Sequence, residues 1–127
     1  MGYLIFLMEG TEMLFICYPK CTTCRKAKNW LEENGLSYEL RDIKEQNPSK
    51  EELAAWQEKS GLPMKKFFNT SGQLYREMGL KDRLKDMSDE EMLSLLDTDG
   101  MLVKRPILVT DDKVLIGFRE ADYQELM

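Results

Sequence analysis

The chain has 127 residues, enough for one globular domain, and 43% of them are hydrophobic and 32% charged. It contains no histidine, which excludes Ser/His/Asp triads, Cys/His protease pairs and histidine-ligated metals, and its three cysteines are too few for a closed four-thiolate metal site. The net charge of −5 opposes attraction to nucleic-acid phosphates, so we expect no direct binding to nucleic acid.

The start of the chain reads differently from the rest. Residues 1–12 end in a polar break before Met13, and we interpret them as an N-terminal extension of a single domain that covers residues 13–127. The apolar run Tyr3–Met8 is far shorter than the roughly 20 residues that span a bilayer, and it has neither the basic flank nor the cleavage site of a signal peptide. We therefore expect a cytoplasmic protein that does not associate with a membrane.

The first elements are predicted to be a strand, a helix and a second strand. The unbroken apolar run Met13–Tyr18 is typical of a central strand that is buried on both faces. Thr22 and Thr23 occupy the expected N-cap of the following helix, which ends at the C-cap signal Asn34–Gly35. The alternating segment Ser37–Ile43 predicts a strand parallel to the first.

Helices fill the middle of the chain and a hairpin follows them. Helix signals run from Pro48–Ser49 to Ser60–Gly61, continue in broken form over residues 65–86, and resume at Ser88. Two short strands joined by a polar turn and a last helix are predicted over residues 106–126. This order favours an α/β, thioredoxin-like fold, in which a mixed four-stranded sheet is flanked by helices and carries a helical insertion.

The candidate chemistry lies where the first strand meets the first helix. Cys21 is expected at the helix N-terminus, where unpaired N–H groups and the helix dipole favour a thiolate, and Lys20 and Arg25 add positive potential. Cys21 is therefore the predicted nucleophile. Cys24 lies three residues further on the same helix face, within reach of an adduct on Cys21, and is the predicted resolving thiol.

Other interpretations of the cysteines stay open. The pair could be ordinary small residues at a helix start, or could bind zinc between two copies of the chain. Cys17 lies inside the apolar strand and is expected to be an inert, buried thiol with a raised pKa.

Residues distant in the sequence could contact an anion. In a thioredoxin-like sheet, Pro106 before the third strand is expected in the cis form beside the reactive sulfur, and Arg105 would then point its guanidinium at the same pocket. A solvated loop arginine is the alternative. Lys65–Lys66 and the stretch Asn69–Gly72 could form an anion-binding nest or simply a loop cap.

These motifs resemble those of the arsenate-reductase-related proteins, the ArsC, Spx and YffB-like family. The similarity covers residues 13–126 and is strongest to the YffB-like branch. It is carried by Cys21–Ala27, Gly61–Pro63, Lys66–Gly72 and Thr98–Ile107. The resemblance implies a thioredoxin-like core with a helical insertion, and it makes Cys21 the counterpart of the reductase nucleophile.

The chain also departs from its relatives. Arsenate reductases of this type surround the nucleophile with three arginines, of which Arg105 matches here, while Lys65 takes the place of the second and the neighbourhood of Gly117 that of the third. Cys24 stands where relatives have a serine, so this chain can close its own disulfide, with thioredoxin as the implied reductant.

The expected function is thus a thiol-disulfide oxidoreductase or arsenate-reductase-like enzyme. It needs no bound cofactor or metal and takes electrons from thioredoxin, glutaredoxin or glutathione to reduce an oxyanion or a protein disulfide. The expected catalytic residues are Cys21, Cys24 and Arg105, and the expected substrate-binding residues are Lys20, Arg25, Lys65 and Pro106. The alternative is an Spx-type regulator that binds the RNA polymerase alpha subunit through a Cys21–Cys24 redox switch.

Overall fold

The computed structural model describes residues 13–127, and the predicted extension at residues 1–12 lies outside this range. In chain order its strands and α-helices are β1 (Met13–Cys17), α1 (Thr22–Glu33), β2 (Tyr38–Asp42), α2 (Lys50–Ser60), α3 (Gln73–Glu77), α4 (Leu80–Arg83), α5 (Asp89–Leu96), β3 (Ile107–Val109), β4 (Val114–Ile116) and α6 (Glu120–Gln124). Short 3-10 helices lie at Met64–Phe67, Leu84–Asp86 and Gly100–Leu102.

The four strands form one mixed sheet in the order β2-β1-β3-β4. β1 and β2 are parallel, with Met13 opposite Tyr38, because α1 carries the chain back between them. β3 is antiparallel to both β1 and β4. Helices cover both faces, so the predicted thioredoxin-like fold with its mixed four-stranded sheet and helical insertion is confirmed.

β1 is buried on both faces and separates two hydrophobic cores. Ile16 points into the larger core, formed with α2, α5 and the residues between them. Phe15 and Cys17, one residue away on either side, point into the smaller core beneath α1 and α6. Cys24 of α1 and Tyr123 of α6 belong to this second core.

The helix ends follow their sequence signals except at α1. Ser49 and Ser88 each form a capping box with the glutamate three residues later, at the starts of α2 and α5. The N-cap of α1, however, is Cys21 rather than a threonine. The tight turn after β1 is the reason: the Cys21 N–H donates to the Tyr18 carbonyl at 2.9 Å, so the helix begins immediately after Cys21.

The helical insertion is interrupted where glycine predicted a break. Gly72 precedes α3, and Gly79, with φ of 63°, separates α3 from α4. Among the described residues no helix is long and apolar enough to cross a bilayer.

Gly100 is the position where the fold leaves least room for a side chain. A Cβ atom there would lie 1.9 Å from the Ile43 carbonyl oxygen and 3.0 Å from the Asn47 Cβ. We expect Gly100→Ala to lower the free energy of unfolding by about 3 kcal/mol, the upper end of the usual cost of overpacking, because backbone atoms must move. Urea denaturation followed by circular dichroism measures the change.

Gly72→Ala is the matched control. Its added methyl group would meet the Asn69 side-chain amide at 2.8 Å, which can rotate away, and the Asn69 carbonyl oxygen at 3.2 Å, which needs to shift by only a few tenths of an ångström. An equal loss of stability in the two variants would contradict the steric explanation.

Candidate active site

A cavity of about 530 Å³ opens at the junction of β1 and α1. Cys21 lies in its wall at the first turn of α1, with its side chain partly exposed. The other walls come from the insertion, from the segment before β3 and from the segment after β4. The lining residues are Cys21, Thr23, Asn69, Ser71, Gly72, Gln73, Lys104, Arg105, Ile116, Gly117, Phe118 and Arg119.

The surroundings of Cys21 favour its thiolate. Burial raises the pKa of the Cys21 thiol, but the backbone N–H of Cys24, the Cys24 thiol and the Arg105 guanidinium outweigh burial and hold the pKa below its ordinary range. The Cys21 side chain makes no capping hydrogen bond, so the Cys24 N–H is available to the sulfur when it is charged. This direction agrees with the sequence argument.

Arg105 is held beside the reactive sulfur from several sides. Its guanidinium lies over the Tyr18 ring, 5.2 Å from the ring centroid, and its Nη1 is 3.9 Å from the Met101 Sδ. The Arg105–Pro106 peptide bond is cis, as the sequence predicted.

The segment that carries Arg105 is tied to the insertion. The Lys104 N–H donates to the Phe67 carbonyl at 2.8 Å, and the Asn69 N–H donates to the Leu102 carbonyl at 2.8 Å. These two bonds bring the insertion loop and the arginine to one side of the cavity. The site therefore depends on a contact between parts of the chain that are far apart in sequence.

The cavity is cationic although the whole chain is acidic. Within the described residues its lining contains Lys104, Arg105 and Arg119 and no carboxylate. Gly117, with φ of 78°, lets Lys104 lie close, since a Cβ atom there would be 3.1 Å from the Lys104 Cε. Arg119 is exposed and makes a loose ion pair with Asp122 at 3.7 Å. An anionic ligand suits this lining.

Cys24 lies beneath Cys21 and has the opposite character. Its side chain is 1% exposed, and its Sγ accepts the Tyr18 N–H at 3.3 Å. The neighbouring Cys17 sulfur, together with burial, raises the pKa of the Cys24 thiol. The pair is therefore asymmetric, with an accessible thiolate above a buried thiol.

Cys17 differs from its sequence prediction in one respect. It is buried as expected, but the Cys24 thiol donates towards its sulfur, and this contact outweighs burial and lowers the pKa of Cys17 instead of raising it. All three cysteines carry free thiols.

The predicted substrate-binding residues are not all brought to this cavity. Pro106 is buried directly after Arg105, but Lys20 is exposed and does not line the cavity. Arg25 lines a smaller cavity of about 170 Å³. Lys65 lines another, of about 300 Å³. The place that Lys65 was expected to fill beside Cys21 is taken by Lys104.

Sequence reasoning missed several lining residues. Lys104 is the residue before Arg105, and this neighbourhood in the sequence could have indicated that it lines the same cavity. The stretch Asn69–Gly72 was expected to form either an anion-binding nest with Lys65–Lys66 or a loop cap, but Asn69 and Ser71 line the Cys21 cavity and Lys65 does not. Arg119 follows β4 closely enough to reach the same end of the sheet, which the predicted hairpin could have indicated.

No group of three or more metal-ligating side chains lies close enough to hold an ion anywhere in residues 13–127. The residues at the site are instead suited to thiol chemistry, because a half-exposed thiolate, a buried second thiol and a guanidinium are the groups that form and resolve a sulfur adduct. The fold and site together define a thioredoxin-like protein with an N-terminal C-x-x-C pair.

Comparison with known proteins gives the family. Residues 17–126 match the ArsC family model, and the chain belongs to the ArsC family. It is 57% identical to the uncharacterized protein YusI of Bacillus subtilis, over 90% of this chain and 97% of YusI. It is 30% identical to the regulatory protein MgsR of the same organism, over 91% of this chain and 90% of MgsR.

A solved structure shows the same fold. The chain superposes on an ArsC-family-related protein from Bacteroides fragilis with a TM-score of 0.90 and 50% sequence identity, covering 93% of this chain and 99% of that one. The predicted resemblance to this family is therefore confirmed.

Arg105 should control the acidity of Cys21. We expect Arg105→Gln to raise the pKa of Cys21, because the guanidinium stabilises the thiolate. The rate of Cys21 alkylation by iodoacetamide should then fall at pH values below the Cys21 pKa and stay unchanged at high pH, where Cys21 is fully ionised. Mass spectrometry of the tryptic peptide Cys21–Arg25 follows the reaction across pH. Arg119→Gln, which removes a cation from the cavity rim, is the control, and equal midpoints for Arg105→Gln and the unaltered protein would contradict the assignment.

Proposed function

We propose that this protein is a thiol-disulfide oxidoreductase that reduces an anionic oxidised substrate, with Cys21 as nucleophile and Cys24 as resolving thiol. The observation that carries the proposal is the asymmetry of the pair at the mouth of a cationic cavity. Cys21 is partly exposed with a lowered pKa, and Cys24 is 1% exposed with a raised pKa. An attacking thiolate must be reachable, whereas a resolving thiol needs to reach only the first sulfur.

The reaction cycle follows from these positions. The Cys21 thiolate attacks one sulfur of a substrate disulfide, forms a mixed disulfide and releases the first substrate thiolate. Cys24 loses its proton and attacks the Cys21 Sγ, which releases the second substrate thiolate and leaves a Cys21–Cys24 disulfide. The substrate gains two electrons and the protein loses two.

Arg105 and Lys104 position the substrate. Their charges at the Cys21 cavity suit a carboxylate of the substrate or an oxyanion such as arsenate. If an oxyanion is the substrate, the cations available to it are Lys104, Arg105 and the exposed Arg119 in place of three arginines.

An external dithiol completes the cycle. Thioredoxin is the reductant we infer, with glutaredoxin or glutathione as alternatives, because the Cys21–Cys24 disulfide is best reopened by a second thiol pair. No prosthetic cofactor takes part. A reducing compartment, the cytoplasm, is the setting in which such a pair is regenerated.

Two serine variants separate the roles of the thiols. We expect Cys21→Ser to abolish the reduction of 3,3′-dithiodipropionate, a small dicarboxylate disulfide, because the nucleophile is lost. We expect Cys24→Ser, incubated with the disulfide in the absence of thioredoxin, to accumulate a mixed disulfide on Cys21, because the internal resolving thiol is missing. Turnover is measured with thioredoxin, thioredoxin reductase and NADPH, and the adduct by intact-protein mass spectrometry.

The neutral 2-hydroxyethyl disulfide and arsenate are the comparison substrates in the same assay. Slower reduction of the neutral disulfide supports the role of the cationic lining, and turnover of arsenate would identify an oxyanion substrate. Equal, mild losses in both serine variants would contradict the assigned roles.

A second candidate function is supported by the similarity to MgsR, a regulatory protein. In this case the Cys21–Cys24 pair is a redox switch and the partner is the RNA polymerase alpha subunit. The acidic chain makes direct contact with DNA unfavourable, so a regulator of this kind acts through a protein partner.

A pull-down distinguishes the two functions. If the protein is an enzyme, the immobilised chain should capture no RNA polymerase alpha subunit in either the diamide-oxidised or the dithiothreitol-reduced state. Capture that depends on oxidation and is lost in Cys24→Ser would favour the regulator. The Cys24→Ser variant is the matched control because it cannot form the Cys21–Cys24 disulfide.

A further inference from the structure

Cys24 has a thiol neighbour on each side. Its sulfur interacts with the Cys21 sulfur and with the Cys17 sulfur, whereas Cys17 and Cys21 do not act on each other. Cys21 opens to the large cationic cavity. Cys17 and Cys24 line a separate cavity of about 170 Å³. Cys24, the most deeply buried of the three, therefore lies between Cys17 and Cys21.

The alternation of β1 explains this order. Cys17 is the last residue of β1 and points into the smaller core, towards the face of α1 that buries Cys24, Ala27 and Leu31. Cys21 follows one tight turn later and caps that helix. A strand end and the first turn of a helix therefore bring two buried sulfurs together.

We propose that Cys17 is a third redox-active thiol, which takes over the disulfide from the Cys21–Cys24 pair and forms a buried Cys17–Cys24 bridge. This inference rests on the proposed oxidoreductase function. It adds a second disulfide, between Cys17 and Cys24, to the one that the C-x-x-C pair forms by itself.

The transfer is a thiol-disulfide exchange without net oxidation. The Cys17 thiol loses its proton and attacks the Cys24 Sγ, the Cys17–Cys24 bond forms, the Cys21–Cys24 bond breaks, and Cys21 leaves as a thiolate. The proton neutralises a thiolate or passes to solvent. The two electrons removed from the protein were taken earlier by the substrate disulfide.

The electrostatics support this direction of exchange. Cys21 is a good leaving group because its thiolate is stabilised by the Cys24 N–H and by Arg105. Lys28 lines the cavity of about 170 Å³ and its charge favours the Cys17 thiolate, while the charge of Asp42 opposes it. Cys17 shares the smaller cavity with Cys24, whereas Cys21 lines the large one, so the incoming and leaving sulfurs contact Cys24 from different sides.

The same core holds a polar group that needs a partner. The Tyr123 hydroxyl is buried and makes no hydrogen bond with any described residue. Burial, and after it the charges of Cys24, Asp122 and Cys17, raise the pKa of Tyr123, so the hydroxyl keeps its proton. Tyr123 belongs to the same buried cluster as Cys17 and Cys24, and its hydroxyl is a hydrogen-bond donor in that core.

The tryptic map of the chain separates the two bridges. Cleavage after Lys20 and Arg25 puts Cys17 in peptide 1–20, and Cys21 with Cys24 in peptide 21–25. A Cys21–Cys24 bridge leaves peptide 21–25 as a closed loop, whereas a Cys17–Cys24 bridge joins the two peptides. The full chain is oxidised with one equivalent of diamide, its remaining thiols are blocked with iodoacetamide, and the digest is analysed by mass spectrometry.

The expected product is the joined pair of peptides with the alkyl label on Cys21. In Cys21→Ser, oxidation with excess diamide should remove both remaining thiols and again join the peptides through Cys24. The proposal is overturned if oxidised wild type contains only the closed loop, if Cys21→Ser keeps two free thiols, or if the bridge joins Cys17 to Cys21.

A Cys17→Ala variant distinguishes failure of this inference from failure of the proposed function. It keeps the Cys21–Cys24 pair, so it should give only the closed loop. A closed loop in Cys17→Ala together with an unbridged Cys21→Ser would overturn the role of Cys17 and leave the oxidoreductase intact. Two free thiols in oxidised Cys17→Ala would overturn both. Cys17→Ser, with circular dichroism as the check of folding, repeats the measurement with a side chain close in size to cysteine.

Discussion

The site depends on one physical interaction: the stabilisation of a sulfur anion at the first turn of a helix. Cys21 is the N-cap of α1, so the Cys24 N–H, which has no partner within the helix, faces its sulfur. A buried thiol would normally be driven towards its neutral form, and burial does act in that direction here. The amide and the guanidinium reverse the balance, so Cys21 forms a thiolate more readily than an ordinary cysteine does.

The guanidinium reaches this sulfur through the architecture of the whole chain. β3 lies beside β1 in the sheet, and Arg105 comes just before β3. The cis peptide bond that follows Arg105 therefore lies near the end of β1 that leads to Cys21. Two backbone hydrogen bonds fix that segment to the insertion, one from the Lys104 N–H to the Phe67 carbonyl and one from the Asn69 N–H to the Leu102 carbonyl. The helical insertion therefore completes one wall of the cavity, which its loop residues Asn69 and Ser71 line opposite the thioredoxin-like core.

Local signals in the sequence were sufficient for most of the fold and for the cysteine pair. The unbroken apolar run of β1, the capping boxes at Ser49 and Ser88 and the hairpin before α6 each depend on neighbouring residues, and each element formed where it was expected. The cap of α1 was misassigned because threonine caps helices more readily than cysteine. The turn after β1 overrides that preference, and it places the sulfur where the helix dipole is strongest.

The basic residues at the site could not be assigned from sequence in the same way. Lys65 and Lys104 both lie near the ends of short helical segments, and neither position alone shows which of them lines the cavity. That is decided by the backbone hydrogen bonds between the insertion and the segment before β3. That pairing is non-local, so no local pattern reports it. The burial of Cys17 was predicted from its place in the apolar strand, but its contact with Cys24 was not, because that contact also depends on how α1 packs on β1.

Charge in this protein is separated rather than spread evenly. The chain carries 23 acidic and 18 basic residues, yet the described lining of the Cys21 cavity contains three cations and no carboxylate. Carboxylates near Cys21 would oppose both the thiolate and an incoming anion, because like charges at short distance cost free energy in a partly buried site. A cationic cavity on a chain of net negative charge attracts anions to the reactive sulfur.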